Sequence, residues 1–255
     1  MPAPDAPMPA PDAPARPALN RYARLAGLLY LTIIVTSILS LLLVDSRLVV
    51  DGDRAATAER IAASETLFRA GLVYDMAMFA AVVALAWALF VVLRGVDRDR
   101  ALLALLWRMA EAVVGAVTVL LGVLVVLLVG SEGVRAAFEP AQLHALVDVL
   151  LTARTIGYDV TIFFLSLGTI VYCGLLYRSR AVPRPLAGLG IVSFVLMPVG
   201  VVVSLLLPEF QDLAMAAWVP GIVFEVVIGV WLLLKGVRTA PAAAAAPEAL
   251  VARAS

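Results

Sequence analysis

The sequence holds one cysteine, one histidine and one lysine, and each scarcity closes off a class of chemistry. Cys173 alone cannot form an internal disulfide, a CxxC redox pair or a thiolate cage for zinc or an iron–sulfur cluster. His144 alone cannot give a haem two axial histidines. Lys235 stands at the end of an apolar run, so no lysine lies deep enough in a span for a retinal Schiff base. No GxxxxGK[ST] loop cradles a nucleotide phosphate. The formal net charge of +0 supplies no basic field for nucleic acid. Ser166 and Ser193 have no histidine at membrane depth to activate them, so an enzyme is the least favoured class. No cofactor and no metal is expected.

What remains is apolar. Hydrophobic residues make up 63% of the 255, and the mean hydropathy is +1.03. Soluble domains hold roughly half. Six runs are long enough to cross a bilayer: Ala26 to Val44, Leu72 to Leu93, Leu102 to Val129, the uncharged stretch between Asp159 and Arg178, Leu186 to Leu207, and Ala214 to Leu234. Arginines gather before the first run (Arg16, Arg21, Arg24), after the second (Arg94, Arg98, Arg100) and after the fourth (Arg178, Arg180, Arg184). Short loops of that kind stay in the cytoplasm. The expectation is an all-α integral membrane bundle of six transmembrane helices, with both termini cytoplasmic. Eighteen arginines beside abundant Ala, Val and Leu match a GC-rich bacterial genome, hence a bacterial inner membrane.

Two short amphipathic helices are expected on the outer face. In DGDRAATAERIAASETLF, Asp51 or Asp53 is the N-cap, and Ile61, Leu67 and Phe68 are expected to lie on the membrane surface. From Glu139-Pro140 onward, Leu143, Leu146, Val147, Leu150 and Leu151 recur at helical spacing over a stretch too short to span. The tails differ from this core. Residues 1–23 begin with MPAPDAP twice in tandem and are expected to be disordered, as is the Ala-rich segment 239–255. The membrane domain is then 24–238.

Ionisable groups inside a span are costly and default to functional candidates. At 1.5 Å per residue, Glu225 lies about 15 Å from Lys235 and Glu111 about 16 Å from Arg100, so both fall near the bilayer midplane. Arg108 stands one turn from Glu111, able to pair with it. Asp75 and Asp159 lie about 28 Å from inner arginines, at the outer edge. Two layers result: a midplane set of Arg108, Glu111 and Glu225, and an outer mouth of Tyr74, Asp75, Tyr158 and Asp159. Two carboxylates sharing one arginine leave one over, free to carry a proton or bind a cation. The competing account is a buried network that only fixes helix packing, with the outer acids satisfied by Arg69, Arg154 and the tyrosines. Pro198 and Pro220 would kink the last two helices. Tyr74-Asp75 and Tyr158-Asp159 share an offset of 84 residues with Phe79 and Phe163 and with Arg94 and Arg178, which suggests a duplicated unit, although overall identity at that shift is low and coincidence on a shared topology accounts for it better.

In order, RLAGLLYLTIIV (24–35), GDRAATAERIAASETLFRAG (52–71), RMAEA (108–112), LLYRSRAVPRPLAGLGI (175–191) and FEVVIGVWLLLKGV (224–237) resemble a bacterial multi-pass membrane family known as domain of unknown function 4386. The resemblance implies a membrane topology and no activity. Where that family often carries a histidine in the fourth span, this chain has FFLSLGTIVYC, which argues against a metal or haem there. Two functions stand. One is a small permease or proton- or cation-coupled carrier built on the midplane cluster. The other is a non-catalytic accessory, lipid-binding or sensor protein. Expected partners are membrane lipids, a second copy or another membrane protein, and a small molecule of unknown class.

Overall fold

A computed structural model of the chain describes residues 16–50, 52–210 and 216–238. Residues 1–15, 51, 211–215 (the start of the expected sixth span) and 239–255 lie outside the described residues, while 16–23 of the expected disordered tail are helical. Those described are helical, with no strand among them.

Helix α1, Arg16–Ser40, begins eight residues ahead of the expected core and passes at its far end into a π-turn, Leu41–Asp45. Helix α2, Arg54–Ala63, is capped by the Asp53 carboxylate, which accepts from Ala56 N at 2.9 Å. Then follow α3 (Glu65–Leu93), α4 (Arg98–Gly130), α5 (Pro140–Ser179), α6 (Arg184–Leu206) and α7 (Val219–Lys235). Five helical stretches are long and apolar enough to cross a membrane, those of α1, α3, α4, α5 and α6. Helix α7 is the shortest of the long helices, with 17 residues and about 25 Å.

The long helices close into a ring. Each packs on its neighbours in chain order, and α7 returns to pack on both α6 and α1. One end carries the loops between α3 and α4 and between α5 and α6. There Asp97 accepts from Arg100 N at 3.1 Å to cap α4, and its carboxylate also faces Arg178 of α5 at 3.7 Å, so one acid ties both loops. At the same end the Asn20 side chain of α1 accepts from Val237 N at 3.2 Å, and Arg238 N donates to Ala181 O at 2.8 Å. The ring's outer surface is apolar, with Met76, Val113, Leu120, Val192 and Val199 all exposed. Two interior clusters fill it, one around Tyr172, Phe194 and Phe224, the other around Ile61, Phe68 and Val147 nearer the opposite end.

The two amphipathic stretches depart from expectation. Ile61 and Phe68 are buried in the second cluster, with Leu67 partly buried against it: Ile61 because α2 folds back over the bundle's end, Phe68 from the first turn of α3. The Glu139-Pro140 stretch is no separate helix. It runs unbroken into the next span as a single helix of 40 residues, about 60 Å long. Pro140 sits at its first turn with a reciprocal Glu139–Gln142 capping box, the arrangement that favours a helix start. Nothing after it breaks the ladder. Gly157 serves contact instead: a Cβ there would stand 2.5 Å from Thr118 Oγ1, so α4 and α5 cross at that point. The helix ends where Arg180 turns left-handed, with φ 55°, ahead of Pro183.

Candidate functional site

The end away from Asp97 opens into a cavity of about 1190 Å³ between α1, α3, α5 and α6. Its wall on α5 is a polar stripe, Asp148, Thr152, Thr155 and Asp159, at the 4–3–4 spacing that keeps side chains on one helix face. Ser37, Ser40 and Ser46 face it from α1 and the π-turn region, and Ser204 from α6. π-Turns in helices recur at functional sites, and this one borders the cavity.

Four carboxylates line the cavity, Asp53, Asp75, Asp148 and Asp159, against a single guanidinium, Arg154, a formal excess of three negative charges among the described residues. Arg154 is committed. It forms an ion pair and hydrogen bond with Asp75 across the bundle, donates to Tyr158 Oη at 3.1 Å, and lies over the Tyr158 and Phe68 rings at 5.1 and 5.9 Å. Asp75 is thereby neutralised by an internal cation. Asp159 is buried to 7% exposure, with the neutral Ser204 hydroxyl close by. No cation pairs with it among the described residues.

The outer layer read from the sequence is thus three-quarters assembled. Asp75, Tyr158 and Asp159 line one cavity, while Tyr74, 43% exposed, points away from it. Neighbours on a helix point about 100° apart, which carries Tyr74 off the cavity side while Asp75 stays on it.

The midplane set sits deeper. From Ile162 at the cavity wall to Gly168 is about 9 Å along α5. At Gly168 a Cβ would stand 2.9 Å from Arg108 Cγ, so glycine is what lets the arginine's stem pass between α4 and α5. Arg108 Nη1 lies 2.8 Å from Glu111 Oε2, both residues 3–4% exposed. Neither atom meets hydrogen-bond geometry, so charge attraction holds them. Tyr30 of α1 and Tyr172 of α5 lie within electrostatic reach of Arg108, and Tyr172 donates to Ala86 O at 2.9 Å. Glu225 shares this field but forms no ion pair with Arg108 and is only half-buried. The cluster does not line the cavity. It is a compact buried core, with one carboxylate paired and one not.

The model of a family described as Domain of unknown function (DUF4386) matches residues 25–236. The chain belongs to this family. The match takes in both polar layers and runs from the third turn of α1 to the end of α7. No curated protein and no solved structure matches the chain.

No group of three or more His, Cys, Asp or Glu side chains among the described residues could hold a metal ion. Tyr30, Tyr172 and Ser204 were not singled out by sequence, and Trp218 was read there as an interfacial anchor rather than a cavity residue. The first two are single hydroxyls within apolar runs and give no signal. Ser204 and Trp218 face the cavity only because α6 and the start of α7 converge there. The stripe on α5 was readable, since 148, 152, 155 and 159 hold a helical period.

Proposed function

We propose that the chain is a six-span protein of the bacterial inner membrane, both termini cytoplasmic, that carries a small polar solute, with the cavity as its outward-open entrance. The observation that carries this reading is a polar cavity that ends blind about 9 Å above a buried ion pair. Carriers expose one site to one side at a time, and a polar vestibule over a sealed half fits one of those states. Helix α7 then makes the sixth crossing, and the Asp97 end, rich in arginine, faces the cytoplasm. In this reading Arg108, Glu111 and Glu225 form the closed inner half, not the first binding site.

A receptor or accessory protein that never opens inward is the second reading. The dry pairing of Arg108 with Glu111 favours it. The test is side-specific labelling. In a Cys173→Ala background, Ala104→Cys places a thiol in the buried inner half, one turn from Arg108. A carrier exposes it to a membrane-impermeant methanethiosulfonate applied from the cytoplasmic side of inverted vesicles. Protection from both sides, with Ser204→Cys labelled from outside, would sink alternating access and leave the receptor.

A further inference from the structure

The cavity's wall carries four carboxylates and several hydroxyls whose protons are already given to backbone carbonyls. Ser37 and Ser46 donate their hydroxyl protons to Ile33 O and Leu42 O at 2.8 and 2.7 Å, and Thr155 donates to Leu151 O at 3.2 Å. Each hydroxyl therefore turns lone pairs, not a proton, toward the cavity. The guanidinium of Arg154 is spent on Asp75 and Tyr158. Asp159 remains: a carboxylate more than nine-tenths buried, lining the cavity, with a neutral hydroxyl beside it. A buried carboxylate without a counter-charge is costly, and its sibling Asp75 shows how this fold relieves the cost, with a cation laid against it.

We infer that the cavity binds a donor-rich organic ammonium ion of the alkyl di- or polyamine class, its ammonium seated on Asp159 beside Ser204. An ammonium brings three donors and one positive charge to a wall of acceptors. A hard metal ion needs six or more oxygens close together, and a cavity of about 1190 Å³ is far larger than an ion requires. Pockets of several hundred Å³ or more suit small organic molecules. The inference rests on the cavity being a solute site, as proposed above, but not on transport.

The test uses the full chain in nanodiscs of zwitterionic lipid, with 1,4-diaminobutane as probe and 1,4-butanediol and Mg²⁺ as controls. Calorimetric titration and the unfolding temperature are both read. The diamine should bind the wild type and raise its unfolding temperature, whereas butanediol should do neither. Asp159→Asn should weaken the diamine by about tenfold or more and Ser204→Ala by a few-fold, in line with loss of a charge-assisted and a neutral hydrogen bond. Without ligand, Asp159→Asn should unfold no earlier than wild type, which shows that lost binding is not lost fold. Absence of diamine binding at millimolar concentration, or undiminished binding by Asp159→Asn, overturns the inference. Mg²⁺ raising the unfolding temperature as the diamine does, and losing that effect in Asp159→Asn, would replace it with a metal site. The Ala104→Cys labelling involves no amine, so binding without labelling leaves a receptor, and labelling without binding leaves a carrier of another solute.

Discussion

At the scale of single residues, the two buried acids of the cavity and the buried pair beneath it call for opposite substitutions. Among the described residues Asp75 is held by Arg154 and Asp159 by no cation, so the same chemical change should act differently. Asp75→Asn strands a largely buried guanidinium and should cost about 2 kcal/mol or more, measured as a lower unfolding temperature in detergent. Asp159→Asn removes an unpaired charge and should cost nothing. Arg108→Met leaves Glu111 buried and unpaired and should cost about 3–5 kcal/mol, while adding Glu111→Leu should restore most of it. If the double variant is as unstable as the single one, Glu225 rather than Glu111 is the partner that matters. Pairing of Arg108 with Glu111 was legible because i, i+3 spacing on one helix fixes proximity. The partner of Asp75 was legible only as one of several arginines, since their contact joins residues 79 apart in the chain and depends on how α3 and α5 cross. That Asp159 keeps no cation could not be read at all, being a fact about which side chains fail to arrive.

At the scale of elements, the sequence shows where helices are apolar more clearly than where they stop. The stretch after Pro140 has the apolar period of a surface helix, yet its face meets the bundle's second cluster and the backbone continues to Ser179. Composition drops there, but hydrogen bonding does not. The difference is measurable. In a Cys173→Ala background, spin labels at the exposed positions Leu146 and Tyr177 should lie about 46 Å apart in a straight helix. A surface helix bent onto the membrane would bring them much closer, and such a distance would refute the continuous rod. Helix α2 repeats the lesson from the other side. Its cap was legible only as Asp51 or Asp53, of which Asp53 caps the helix, whereas the burial of Ile61 follows from the fold-back, which no local pattern encodes.

At the scale of the whole molecule, crossing number decides sidedness. With α7 as a sixth crossing, reporters fused after Arg238 and before Arg16 should fall on the same side of the membrane. A reporter between Glu132 and Glu139 should fall on the other. Opposite sides for the two ends would mean that α7 does not span, and that the bundle is built from the five longer helical stretches. Apolar run length predicted the helices well, because an uncharged stretch of that size has few other stable forms in lipid. Their circular order was hidden, because each lipid-facing run looks like any other until its neighbours are known.

Closure of that circle through α1 and α7 imposes a schedule on synthesis. The first helix made has its last neighbour made at the end. Until α7 leaves the ribosome, the face of α1 bearing Gly27 and Tyr30 stands uncovered, for it is the backbone of Leu233 and Gly229 that closes against Gly27. A nascent chain halted after α6 therefore has an unsealed seam, and Glu225 has not yet joined the field of Arg108. The final helix acts as a keystone, and a stop codon anywhere before it should yield a product the cell clears.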